Sequence, residues 1–191
     1  MLAWKERLAQ ALVAHSSIVI VLAGSNGAGK TTFFRRYLES TGIDFVNADE
    51  IARALNPLDP AACAFEAMEI AGQLRESLVQ SRQSFCMETV LSDTQGSKLD
   101  FLRRVREAGY GLVVIFIRLE CVMLSQARVH QRVQRGGHGV PDEKLLARFP
   151  RTLDNATQAL ALAHLGLVLD NSSSRQPYQL VETWQDGKRV A

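Results

Sequence analysis

The chain has 191 residues, 47% of them hydrophobic and 22% charged, with a net charge of +2. That length suits one domain able to bury its own core, and the near-neutral balance argues against a general nucleic-acid coat. Cys63, Cys86 and Cys121 are odd in number and form no C-x-x-C pair, which points away from a disulfide framework or a zinc site; each reads as a small buried hydrophobe in a reducing cytoplasm.

No segment reaches the roughly 18 uninterrupted apolar residues of a membrane span. Residues 1–14 place Lys5, Glu6 and Arg7 before no long apolar core, a poor signal peptide. The expected location is the cytoplasm, with no membrane partner. Leu2, Leu8, Leu12 and Val13 instead predict a short amphipathic helix within residues 1–15, packed on the domain.

A β-branched run over 17–23 predicts the first strand, followed by a glycine loop and a helix over 30–40 that Gly42 ends. Ile43 to Ala48 reads as a second strand, and a brief helix runs from Glu50 to Asn56. Pro60 opens a long helix to about Ser81, whose apolar face is Phe65, Met68, Ala71, Leu74 and Leu78. Ser84 to Thr89 is a third strand, 95–108 a helix, Leu112 to Ile117 a fully apolar fourth strand, and 121–134 a helix stopped by Gly136-Gly137. A helical stretch from Pro141 to His164 contains Pro150 as a break or kink. Gly166 to Asp170 is the fifth strand, and Tyr178 to Val190 reads as a hairpin around Asp186-Gly187. Strands apolar on both faces that alternate with helices call for a parallel sheet covered on each side. The expected fold is α/β: a single P-loop NTPase three-layer sandwich over 1–191, with a mostly parallel five-stranded sheet and a small C-terminal β-hairpin.

The glycine loop carries the chemistry. Gly24-Ser25-Asn26-Gly27-Ala28-Gly29-Lys30-Thr31-Thr32 contains G-x-x-x-x-G-K-[ST] between a strand and a helix, the context in which the motif binds phosphate. The glycines let successive N–H groups turn inward, and the helix behind adds its positive dipole end. Lys30 supplies charge to the β- and γ-phosphates, and the Thr31 hydroxyl can hold Mg²⁺. Ligands gather at the carboxyl ends of such strands, where Asp49, Glu88 and Asp170 stand. Asp49 is a candidate catalytic base and, equally, a helix N-cap. Glu88 with Thr89 forms a candidate substrate contact, or a solvated strand end. Asp170 more simply closes a strand. Arg128, Arg132 and Arg135 share one helix face, and with Arg148 and Arg151 they surround a Gly-Gly-His-Gly turn. Residues 120–150 therefore read as a phosphate lid, with a solvated basic face as the plain alternative. His130 and His138 lack the accompanying ligands of a metal site.

The phosphate loop, Asn47-Ala48-Asp49, Glu88-Thr89, Arg135-Gly136-Gly137-His138-Gly139-Val140-Pro141, Arg148-Phe149-Pro150-Arg151 and Asp170-Asn171-Ser172 together resemble the zeta toxin family of P-loop kinases, over residues 17–172. The resemblance implies ATP and Mg²⁺ as cofactors, transfer of a phosphoryl group to a hydroxyl of UDP-N-acetylglucosamine, and a small antitoxin as partner. It implies Lys30 and Thr31 at phosphate and Mg²⁺, Asp49 as base, and Glu88 and Thr89 against the substrate sugar. Lid arginines, chosen as Arg132, Arg135 and Arg148 with Arg128 close behind, would clamp the phosphates. Two other functions fit parts of the chain. Leu91-Ser92-Asp93-Thr94-Gln95-Gly96 echoes the signature loop of a regulatory ATPase, yet Val113 to Arg118 ends without the expected acid. The arginines could track a nucleic acid for a 5′-hydroxyl kinase, yet no aromatic residues interleave with them. No guanine-reading motif is present, which favours ATP.

Overall fold

The computed structural model describes residues 3–137 and 139–190. Seven strands form one sheet in the order β2-β3-β1-β4-β5-β6-β7. β1 (Ile18–Gly24) is central, paired in parallel with β3 (Phe85–Thr89) and β4 (Gly111–Arg118). β2 (Asp44–Val46) is the edge beyond β3, and β5 (Leu165–Asp170) continues the parallel set beyond β4. The C-terminal hairpin, β6 (Gln179–Gln185) and β7 (Lys188–Val190), joins antiparallel to β5 and extends this sheet. Among the described residues no helix is long and apolar enough to cross a membrane.

Alternation along the strands builds two cores. Val19, Val21, Ala23, Leu112, Val114 and Phe116 face one way, toward α4 (Ala64–Gln80), α5 (Ser97–Glu107) and α7 (Asp142–Leu162). Ile18, Ile20, Leu22, Val113, Ile115 and Ile117 face the other, toward α1 (Ala3–Ala14) and α2 (Lys30–Tyr37). α3 (Ala48–Leu55) follows β2, and α6 (Val122–Gln134) follows β4.

Four sequence expectations change. In α1 the buried residues are Trp4 and Leu8, and Val13 points to solvent; Leu2 lies outside the described residues. Trp4 sets this face by packing its ring 5.1 Å from Phe33 and 5.0 Å from Tyr37. In α4 the core-facing residues are Ala67, Ala71 and Leu78, while Phe65, Met68 and Leu74 are exposed. Ala71 and Leu78 are buried as expected, and the small Ala67 joins them in place of the bulky Phe65 and Met68, so the buried stripe is turned away from the bulkiest residues. The helix around Pro150 is continuous from Asp142 to Leu162. Pro150 removes the hydrogen bond to the carbonyl of Leu146, a residue on the exposed side, where water can replace the lost donor. Cys86 is buried, and burial pushes its thiol well above the ordinary value; Cys63 and Cys121 are only half-buried.

Candidate nucleotide and phosphoryl-transfer site

The loop between β1 and α2 stands at the carboxyl end of the central strand. Gly27 and Gly29 have φ of 73° and 95°, the left-handed region that glycine enters freely. A Cβ on Gly29 would come 2.7 Å from Asn171 Nδ2 and 3.0 Å from the Tyr178 hydroxyl oxygen. The loop carbonyls are turned outward and held. Lys30 Nζ donates to Gly24 O at 2.9 Å and Ser25 O at 3.1 Å. Ser125 Oγ donates to Asn26 O at 2.6 Å, and Arg128 Nη1 reaches Gly27 O at 3.4 Å. Asn171 Nδ2 donates to Ala28 O at 2.7 Å, and the Tyr178 hydroxyl donates to Gly29 O at 2.9 Å. With its carbonyls occupied and the Ala28 N–H turned back to Ser25 O at 3.2 Å, the loop presents its remaining amides at the start of α2, where an anion binds.

Lys30 is buried, and desolvation holds its ammonium below the ordinary lysine value. Glu88, Asp49 and Arg132 all lie within charge range, the first two opposing that shift and Arg132 adding to it. Glu88 Oε1 is 3.8 Å from Lys30 Nζ. Glu88 Oε2 accepts from the Thr31 hydroxyl at 2.8 Å and from Asn47 Nδ2 at 3.1 Å. Asn47 also caps α3, its Oδ1 accepting from Asp49 N at 2.9 Å, so α3 and the acid at the end of β3 are tied together. Asp49 is thus the second helical residue of α3, with its side chain exposed over the cleft end.

The structure brings together the 24–32 loop, Asp49, Glu88 and Arg132. It separates Glu88 from Thr89, because adjacent strand residues face opposite sides. Glu88 shares the face of Cys86 and looks at α2, whereas Thr89 is buried and its Oγ1 accepts from Leu91 N at 3.0 Å, closing the turn after β3. Arg135 is exposed at the C-cap of α6, and Arg148 lies within charge range of Lys98 beside the loop that follows β3. Arg128 is held by Asn171 O at 2.7 Å and Ser172 O at 3.2 Å, which makes it a brace of the loop region. Asp170 pairs with Arg118 at 2.8 Å across the ends of β5 and β4. His130 pairs with Asp142 at 3.0 Å, joining α6 to α7, and His138 lies outside the described residues. Sequence reasoning missed Ser125 and Tyr178 as parts of the site, and it quoted Asn47 and Asn171 only within motifs, without a role of their own.

A phosphate loop on the central strand of a β2-β3-β1-β4-β5 sheet, with Glu88 at the end of the neighbouring β3 and Asp49 just beyond β2, defines a P-loop fold of the kinase type. Within that class the chain belongs to the Zeta toxin family, whose model matches residues 5–179. It is 27% identical over 130 residues to an uncharacterized protein of Haemophilus influenzae, covering 68% of this chain and 91% of that one. Its fold is similar to the AvrRxo1-ORF1:ORF2 complex solved with ATP, at a TM-score of 0.73 and 15% identity, covering 98% of this chain and 68% of that one. It is also similar to the PezAT chromosomal toxin–antitoxin system of Streptococcus pneumoniae, at a TM-score of 0.59 and 17% identity over 95% of this chain and 79% of that one. Shikimate kinase from Acinetobacter baumannii matches at a TM-score of 0.53 and 19% identity, covering 86% and 89%. Together the family and the shared fold support a nucleotide-binding phosphotransferase.

Proposed function

We propose that this protein transfers the γ-phosphoryl group of ATP to a hydroxyl of a small molecule, with UDP-N-acetylglucosamine the first candidate acceptor. The observation that carries the reading is the phosphate loop whose buried Lys30 lies 3.8 Å from Glu88, with the exposed Asp49 joined to that cluster through Asn47. Lys30, Arg132 and the loop amides hold the phosphates and spread the charge that develops as the group leaves. Asp49 accepts the proton of the acceptor hydroxyl, whose oxygen forms the new bond to phosphorus as the bond to the ADP oxygen breaks. Buried Ser25 Oγ, Asn26 Oδ1 and Arg132 Nε have no partner among the described residues, as groups meant for a ligand would.

The same residues fit a magnesium ion. Thr31 Oγ1 and the Glu88 carboxylate are hard oxygen donors already in contact, the set such an ion prefers. When bound, the ion neutralises phosphate charge. Glu88 is better placed for that duty than for the substrate sugar, since two of its three described partners, Lys30 and Thr31, belong to the phosphate loop and the third, Asn47, caps α3. Arg135 and Arg148 keep a place in the proposal as lid and acceptor-side cations, and a small antitoxin protein in the cytoplasm as the partner that the family reading carries.

The test is a ³¹P NMR time course with Mg-ATP and UDP-N-acetylglucosamine beside a pooled metabolite extract. A new phosphomonoester with the sugar nucleotide establishes reaction and acceptor together. A signal only with the extract keeps the kinase and discards the sugar. Inorganic phosphate alone, at a rate no acceptor changes, replaces the kinase by an ATPase.

A further inference from the structure

Two side chains far along the chain reach back to consecutive carbonyls of the phosphate loop. Asn171 follows β5 and its Nδ2 donates to Ala28 O at 2.7 Å, across 143 residues of sequence. Tyr178 precedes β6 and its hydroxyl donates to Gly29 O at 2.9 Å, across 149 residues. Both are almost fully buried. Both also fill the space where Gly29 lacks a Cβ, so the contact exists only because that residue is glycine. The Tyr178 ring is set by edge contacts to Phe33 and Tyr37 of α2, at centroid distances of 5.1 and 5.8 Å. Burial pushes its phenol up to about 12, so it remains a donor throughout the working pH range.

In a trans peptide unit the N–H points opposite to the C=O. Fixing Ala28 O therefore aims the Gly29 N–H, and the Tyr178 hydroxyl, joining the Phe33 N–H that also donates to Gly29 O at 2.9 Å, steadies the aim of the Lys30 N–H. These two amides are the last of the loop and the first of α2, where backbone donors and the helix dipole converge on an anion. We propose that Asn171 and Tyr178 are positioning residues that aim the Gly29 and Lys30 amides at the β-phosphate of the nucleotide, so that the C-terminal hairpin is part of the phosphate site. The inference rests on the nucleotide-binding part of the proposed function, and is independent of the acceptor.

The discriminating measurement is calorimetric binding of Mg-ADP, AMP and adenosine to the full chain and to its Tyr178→Phe and Asn171→Ala variants. Each variant leaves one hydrogen bond unmade, which lowers ADP affinity about three- to tenfold. Adenosine and AMP, which carry no β-phosphate, should bind the variants as they bind the parent. Tyr178→Phe keeps the ring and its packing, so it stays informative should Asn171→Ala unfold. Equal ADP affinity in the parent and Tyr178→Phe overturns the positioning role while leaving the nucleotide site intact. Equal losses for ADP and adenosine overturn it in favour of a general structural effect. A parent protein that binds none of the three overturns this inference and the nucleotide reading with it.

Discussion

Asp49 and Glu88 are two carboxylates near one ammonium, and their surroundings assign them different duties. Glu88 spends its oxygens on Thr31, Asn47 and Lys30, whereas Asp49 keeps its carboxylate exposed over the cleft. Asp49→Asn should therefore abolish phosphoryl transfer while ADP affinity, read by calorimetry, stays within about threefold. Retained transfer would remove Asp49 as the base. Glu88→Gln should instead raise the magnesium concentration needed for half-maximal activity, because a carboxylate that steadies Thr31 and the ion is replaced by a neutral amide. The arginines separate in the same way. Arg132 is within charge range of Lys30 and its buried Nε has no partner among the described residues, so Arg132→Ala should cost about a hundredfold or more in kcat. Arg135, exposed at the end of α6, should cost only a few-fold on the same substitution. Equal losses at the two positions would mean that the helix end closes onto the phosphates during turnover.

Local signals announced the elements and the loop, and long-range contacts decided the rest. G-x-x-x-x-G-K-T is legible because its glycine spacing and the flanking strand and helix are all within one stretch of chain. Asp49 and Glu88 were legible as acids at strand ends, but the opposite facing of Glu88 and Thr89 follows only once the sheet assigns β3 its two faces. Ser125, Asn171 and Tyr178 carry no local mark; their meaning lies in carbonyls 99 to 149 residues away. α4 shows why a hydrophobic stripe can mislead. Phe65 and Met68 dominate the pattern, yet Ala67 and Ala71 are the buried residues, and Ala71 packs into the core over the sheet, where close approach needs small residues. Enlarging the buried position should hence be worse than polarising the exposed one. Ala71→Leu should destabilise by about 1–3 kcal/mol through overpacking, and Met68→Ser should stay within about 0.5 kcal/mol. Urea unfolding of the two variants checks the order, and a reversed order would put the rotated face in error.

At the scale of the whole molecule, the sheet keeps its chemistry at one end and a titrating contact at the other. His164 sits between α7 and β5, half-buried, where its ring Nδ1 accepts from Leu112 N at 3.0 Å and its backbone N–H donates to Leu112 O at 2.9 Å. The ring lies 4.9 Å from that of His15, which crowds against Gly111. Desolvation first, then Arg106 and His15, hold the His164 imidazole below its ordinary value of 6.5, with Asp186 opposing them. A protonated ring could no longer accept from Leu112, so the folded chain keeps it neutral where the unfolded chain would charge it. Below pH 6.5 the unfolded state then binds more protons, and stability should fall with pH through that window until the folded-state value is passed. Thermal unfolding at pH 5.5 and 7.5, compared between the parent and His164→Asn, reads the effect. Asparagine offers an uncharged acceptor to the same amide, so the variant should lose less stability than the parent between the two conditions. An equal loss would place the acid sensitivity in other groups. The phosphate loop lies at the opposite ends of these strands, so ADP affinity at neutral pH should be the same in His164→Asn and the parent.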